Sequence, residues 1–229
     1  VLIKNVLVNI HIDLIEFYSI TKNKLITKKN NRFSSIIFNY LKLIFSKNKK
    51  IRYSILKAYS KEAEEQIKNV VRNLPSNYNI RNSELNCHMH IHIIPFVYRI
   101  LQKKCRKYGI SNIRNTQEII GNQYLRFGFI NNILSGNIFK VLVSNYFMKF
   151  NHFNNFDIKI KNNSFFIGIL NSGRLTNKNV QLSIRQIKSL SYEEKIKICC
   201  HPGIINDKSY KYKNFYFSNN RNLEKKLFI

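Results

Sequence analysis

The chain has 229 residues, of which 44% are hydrophobic and 22% charged, a globular rather than a disordered composition with enough length for one sizeable core. No apolar run approaches the ~20 residues of a membrane-spanning helix. Its net charge of +27, from 39 basic and 12 acidic residues, points to nucleic acid or an anionic surface as a partner class. The lysines are nevertheless scattered, and the crowding of Asn, Ile, Lys, Tyr and Phe reads as compositional drift toward A/T-rich codons.

In chain order, Asn5–Leu14 alternates apolar and polar residues and predicts a strand with His11 near its C-terminal end. The start has no basic n-region or cleavage site, so it is not read as a signal peptide. Beginning at Val1, the chain reads as a fragment. Residues 16–59 predict a loop and one or two helices. Ser60–Leu74 predicts a helix capped by Ser60, with Glu62, Glu64 and Glu65 in its first turns and Pro75 as its stop. A strand is expected over Glu84–Ile94. A helix over Val97–Gly109 follows, with Gly109 as terminator, and then a short strand over Ile110–Arg114. Further on, the pattern is mostly helical over Asn122–Phe153, extended over Phe165–Leu170, helical from Thr176 to Leu190, extended over Lys195–Cys200, and helical over Phe217–Phe228. Strands alternating with helices imply an α/β fold with a parallel sheet. Without an internal repeat or a Gly/Ser linker, residues 1–229 read as one domain.

The cysteines Cys87, Cys105, Cys199 and Cys200 form no C-x-x-C pair. They are too sparse for a disulfide scaffold and wrongly spaced for structural zinc. They suit a reducing compartment, and the expected location is cytoplasmic.

Half of the six histidines fall in "CHMHIHII". On a strand, His88, His90 and His92 share one face, while Met89, Ile91 and Ile93 face the other. Three interior imidazoles are costly unless every nitrogen has a partner, and a divalent cation with acidic neighbours is a natural solution. His11 and His201 fall at the ends of other predicted strands, on the rim where parallel α/β folds place their active sites. His152 has no such context and reads as structural.

At these residues the chain resembles the YdjC-type carbohydrate deacetylases, which include chitooligosaccharide deacetylases. Leu85–Arg114 is similar to the family's His-rich strand, helix and following strand, and "VNIHIDL" to its segment with a metal-binding histidine. Glu62 and Gln66 match its Glu-x-x-x-Gln helix, and Gly168–Thr176 its Gly-rich segment. "CCHPGIIND" matches the His-Pro-Gly motif, and Arg221–Glu224 the Arg-x-x-Glu helix. The resemblance implies an irregular, TIM-like (β/α) barrel, here incomplete at both ends. It also implies removal of acetyl groups from N-acetylated amino sugars or chitooligosaccharides with one divalent ion, commonly Mg2+. His11 and His88 fall on metal positions, and His201 on that of the general acid or transition-state stabiliser. His90, His92 and Arg114 would line the substrate pocket.

The chain also departs from the family. The N-terminal Asp-Asp pair, a ligand and the base, has no counterpart here. Asn86 and Lys197 stand where the family has Asp and Glu. The expected partner is a small carbohydrate, with no membrane. The alternative readings are a catalytically inactive relative and a basic RNA- or anion-binding module.

Overall fold

The computed structural model describes residues 9–15, 19–26, 33–120, 136–153, 164–172, 175–190 and 195–200. It divides into two compact units, Val1–Arg114 with Phe150–Ile160, and Asn115–Lys149 with Lys161–Ile229.

In the first unit, strands β1 (Asn9–Ile12), β2 (Glu84–Cys87) and β3 (Asn112–Ile113) form a parallel sheet in that order. β1 shows the expected alternation, with Ile10 and Ile12 fully buried and Asn9 and His11 exposed. Leu85, Asn86 and Cys87 of the central strand are buried in succession, as befits a strand covered on both faces.

Helices α1 (Phe33–Phe45), α2 (Lys49–Asn73) and α3 (Pro95–Tyr108) belong to the same unit. α2 begins well before the expected Ser60. Asn48 caps it, its side-chain oxygen accepting the N–H groups of Lys50 at 2.9 Å and Ile51 at 3.3 Å. No Pro or Gly interrupts residues 49–60, and the buried positions Ile55, Ala58, Tyr59, Glu62, Ala63 and Ile67 keep one helical face throughout. The helix stops before Pro75 as predicted. Tyr59 is wholly buried, meets the Phe96 ring edge-on at 5.2 Å, and accepts a hydrogen bond from the Asn39 amide at 3.1 Å. These contacts tie α1, α2 and α3 together.

α3 starts with Pro95 in its first turn, where a missing N–H costs nothing. It ends on Gly109, which is left-handed at φ +71°, and the following Ile110 N–H returns to the Cys105 carbonyl at 2.9 Å. The glycine stop is the one expected, whereas the helix begins at Pro95, two residues before the expected Val97.

The second unit holds the parallel pair β4 (Ser164–Ile167) and β5 (Lys195–Ile198), with helix α5 (Asn177–Leu190) and most of α4 (Asn137–Phe153). Phe166, Ile169 and Leu170 pack against Val141 of α4, whereas Ile167 and Leu175 pack against Val180 and Ile187 of α5. Both faces of β4 are thus covered. Gly168, just past β4, sits at φ +142°. A Cβ there would lie 2.5 Å from the Cys199 carbonyl oxygen, so only glycine lets the chain after β4 approach the end of β5 this closely.

The α/β class and the parallel pairing agree with the sequence. Among the described residues the strands make a three-stranded and a two-stranded sheet, and no closed barrel forms. The predicted helical stretch over 122–135 and the helix over 217–228 lie outside the described residues. No described helix is long and apolar enough to cross a membrane.

Candidate active-site edge

Three neighbouring parallel strands end at one edge of the first sheet. His11 is the penultimate residue of β1, His88 follows the last residue of β2, and Arg114 follows the last residue of β3. The C-terminal edge of a parallel α/β sheet is where ligands bind, because loops diverge there and leave a crevice.

The β1–β2 register places His11 opposite Asn86. Paired residues on adjacent strands project to the same side, so the two side chains meet, and His11 Nδ1 hydrogen-bonds Asn86 Oδ1. His11 is exposed, whereas Asn86 is 3% exposed. The half-buried His88 presents its ring to His11 at 5.9 Å between centroids, with the planes at 82°. Strand end and register together therefore bring His11, Asn86 and His88 into one cluster.

The expected strand through His92 does not form. β2 ends at Cys87, and His88–Ile93 makes short 3-10 turns broken at Met89 and His90, which are left-handed at φ +50° and +55°. The three histidines therefore do not line one pleated face.

The cause lies in His92, which is fully buried. Its Nδ1 accepts the Cys87 N–H at 3.2 Å, and its Nε2 donates to the Arg114 carbonyl at 3.1 Å. The ring folds back to bond the backbone at the ends of both β2 and β3, which a continuing strand would not allow. Burial, and then its neighbours His90 and Arg114, hold His92 well below the usual histidine pKa, so the ring is neutral. Both nitrogens are taken by main chain. His90 lies 6.0 Å from His92 between ring centroids. Arg114 Nε is buried and has no hydrogen-bond partner among the described residues.

Behind this edge stands a second layer from α2. Gln66 clamps the backbone of Asp13, two residues beyond His11. Its Oε1 accepts the Asp13 N–H at 2.9 Å and its Nε2 donates to the Asp13 carbonyl at 2.6 Å. Nε2 also donates to Glu62 Oε1 at 2.9 Å. Glu62 is fully buried and accepts the hydroxyls of Ser19 and Thr21 at 2.6 and 2.7 Å and the N–H groups of Ile20 and Thr21, both at 2.9 Å. Burial pushes its carboxyl up, but the bonds from Ser19, Gln66 and Thr21 together bring it below the usual range. Glu62 is thus a loop anchor rather than the partner of a helix dipole. The Glu-x-x-x-Gln spacing was the sequence signal for this pair.

The second unit contains an anchor that the sequence did not announce. Glu118 is 3% exposed and accepts three consecutive backbone N–H groups, from Gly168 at 3.0 Å, Ile169 at 2.8 Å and Leu170 at 2.9 Å. Asn145 holds residue 118 in turn, accepting its N–H at 3.0 Å and donating to its carbonyl at 2.8 Å. Burial pushes the Glu118 carboxyl up to about 6, against the pull of the three N–H groups. His201 lies outside the described residues. His152 is half-buried on α4, where burial lowers its pKa.

A comparison with curated proteins returned no match. The family model described as YdjC-like protein matches residues 4–227, almost the whole length. By that match, the chain belongs to the YdjC-like protein family.

Proposed function

We propose that the chain is a carbohydrate deacetylase that hydrolyses the acetamide of N-acetylated amino sugars or chitooligosaccharides. The observation that carries this reading is the convergence of His11, Asn86 and His88 at the C-terminal edge of β1 and β2, with Arg114 at the end of β3. The family match supports the reaction class. In full, the reading places these strands in an irregular TIM-like barrel in the cytoplasm.

Amide hydrolysis needs a polarised carbonyl, an activated water and a proton for the leaving amine. Arg114 is suited to hold a carbonyl or sugar oxygen, because its buried Nε is a donor that a ligand oxygen would satisfy. His90 lies beside His92 on a left-handed turn, a strained conformation common where a side chain is held for a ligand. His201 is the proposed proton donor to the amine.

The family reading calls for a divalent ion, commonly Mg2+, with His11 and His88 as ligands. Among the described residues, no three of His, Cys, Asp and Glu come together to hold a metal. Two imidazoles and an amide oxygen do not fit Mg2+, which requires an oxygen-rich set. No step is therefore assigned to the ion.

The test is acetate release from N-acetylated chitooligosaccharides by the purified protein, with added Mg2+ or Zn2+ and after chelation. The expected outcome is metal-dependent release, lost in His88→Ala with the far-UV circular dichroism unchanged. Equal activity in His88→Ala would remove the basis of the assignment. No release under any condition would make the chain an inactive relative.

A further inference from the structure

We infer that Asn86 is a positioning residue that fixes the neutral His11 ring in the tautomer with the proton on Nδ1, leaving the Nε2 lone pair as its working atom. Calling the cluster an active site rests on the deacetylase reading. The tautomer follows from the geometry alone.

The β1–β2 register sets the two residues opposite each other, so their meeting is fixed by backbone pairing rather than by a chance rotamer. Asn86 is 3% exposed and lies in the buried run of the central strand, whereas His11 is exposed. The buried partner orients the exposed one. The Asn86 atom that meets the ring is Oδ1, an acceptor with no proton to give. His11 Nδ1 must therefore donate, and a neutral imidazole carrying its proton there has a bare Nε2. Imidazoles that act through one nitrogen are commonly oriented in this way, by a carbonyl or carboxylate on the other.

His92 makes the opposite choice six residues beyond Asn86. There the Cys87 N–H occupies Nδ1 and the proton sits on Nε2, directed at a carbonyl. The two rings thus separate a histidine with one open nitrogen from a histidine with none. A side chain at 86 without an acceptor would release the His11 ring to either tautomer and to rotation about its Cβ–Cγ bond.

The test is a long-range 1H–15N correlation spectrum of the uniformly 15N-labelled protein at about pH 8.5, well above the ordinary histidine pKa of ~6.5. His11 is assigned by the signals lost in His11→Gln. The expected result is a pyrrole-type shift for His11 Nδ1 and a pyridine-type shift for Nε2. In Asn86→Leu the pattern should move toward Nε2–H, and Asn86→Asp, which retains an acceptor, should restore it. A wild-type His11 in the Nε2–H form would overturn the inference, as would Nδ1–H persisting in Asn86→Leu. Should Asn86→Leu not fold, the wild type and Asn86→Asp still decide, since Nε2–H in either refutes it.

In the acetate-release assay, kcat/KM should fall on the order of 10–100-fold in Asn86→Leu and largely recover in Asn86→Asp. An unchanged kcat/KM in folded Asn86→Leu would refute the positioning role. If the spectrum shows Nδ1–H but no variant releases acetate, the deacetylase reading fails and the tautomer assignment stands.

Discussion

Replacing Glu118 tests whether a single carboxylate holds the loop that leaves β4. In Glu118→Ala, the N–H groups of Gly168, Ile169 and Leu170 lose their acceptor together. A buried donor left unsatisfied costs about 1–3 kcal/mol, so three cost roughly 3–9 kcal/mol. The alanine also no longer buries a charge. The carboxyl stands at about 6 against an ordinary 4.5, so ionising it in the folded protein costs roughly 2 kcal/mol at about 1.4 kcal/mol per pH unit. The unsatisfied donors dominate, and the expected net loss at pH 7 is about 4 kcal/mol.

Glu118→Gln separates the two effects. Its oxygen can still accept the two N–H groups now held by Oε2, while its NH2 faces the third, at about 1–3 kcal/mol. Relief of the buried charge offsets most of that, so the glutamine variant should lie within about 1 kcal/mol of the wild type at pH 7. The sign of the pH dependence follows from the raised pKa. The Glu118 contribution is fully present below pH 4.5 and is lost as pH rises through about 6. The wild-type stability measured relative to the glutamine variant should therefore fall by about 1.5 kcal/mol between pH 4.5 and 7. Urea unfolding followed by far-UV circular dichroism at pH 4.5 and 7 reads both quantities. A cost below about 1 kcal/mol for alanine, or equal costs for the two variants, would refute the cradle.

Gly168→Ala should cost more than about 3 kcal/mol in the same urea assay, from left-handed strain and the clash with the Cys199 carbonyl. A midpoint close to wild type would mean that the close approach of the two strand ends is not real. In Gln66→Ala the Asp13 backbone loses both clamps. The Asp13 amide should exchange with solvent at least about 10-fold faster, which is the loss of one net hydrogen bond, and unchanged exchange would place the end of β1 under some other restraint. His92 makes folding acid-sensitive in the direction opposite to Glu118. Its lowered pKa means that its contribution is present above ~6.5 and lost as pH falls. Up to about 1.4 kcal/mol per pH unit should go below that point, and His92→Asn should flatten this part of the stability–pH curve.

The parts of the fold that could be read from the sequence are those fixed by local chemistry. Gly109 ends α3 because a left-handed glycine acts on its own turn. β1 and its His11 were visible because apolar alternation over a few residues is a backbone property. The same alternation misled over His88–Ile93. What ends that strand is a ring bridging two strand ends, with a partner 22 residues away, and periodicity carries no trace of it. Ser60 looked like a cap because caps are common before acidic residues, while the buried stripe running back to Ile55 needed the packed helix to be seen. Glu118 sits in a stretch with no period at all. Its partners are amides about 50 residues downstream that converge only once β4 has formed.

The buried Glu62 also bears on the chemistry at the first sheet's edge. With 12 acidic residues in the chain, a carboxylate free to serve as ligand or base is scarce. Glu62 is occupied by five hydrogen bonds, so it anchors a loop and has no oxygen to spare. Asp13, the nearest acid to His11 along the chain, turns Oδ1 to the Ile15 N–H in an Asx turn. At the cluster itself Asn86 supplies a neutral acceptor, enough to orient an imidazole but without the charge that would hold a hard cation. The edge is therefore built for geometry more than for charge. If it hydrolyses acetamides, binding should tolerate a borderline ion such as Zn2+, which accepts imidazole nitrogen, better than Mg2+. Acetate release compared at equal concentrations of the two ions decides this: higher activity with Zn2+ is expected, and strict dependence on Mg2+ would refute it.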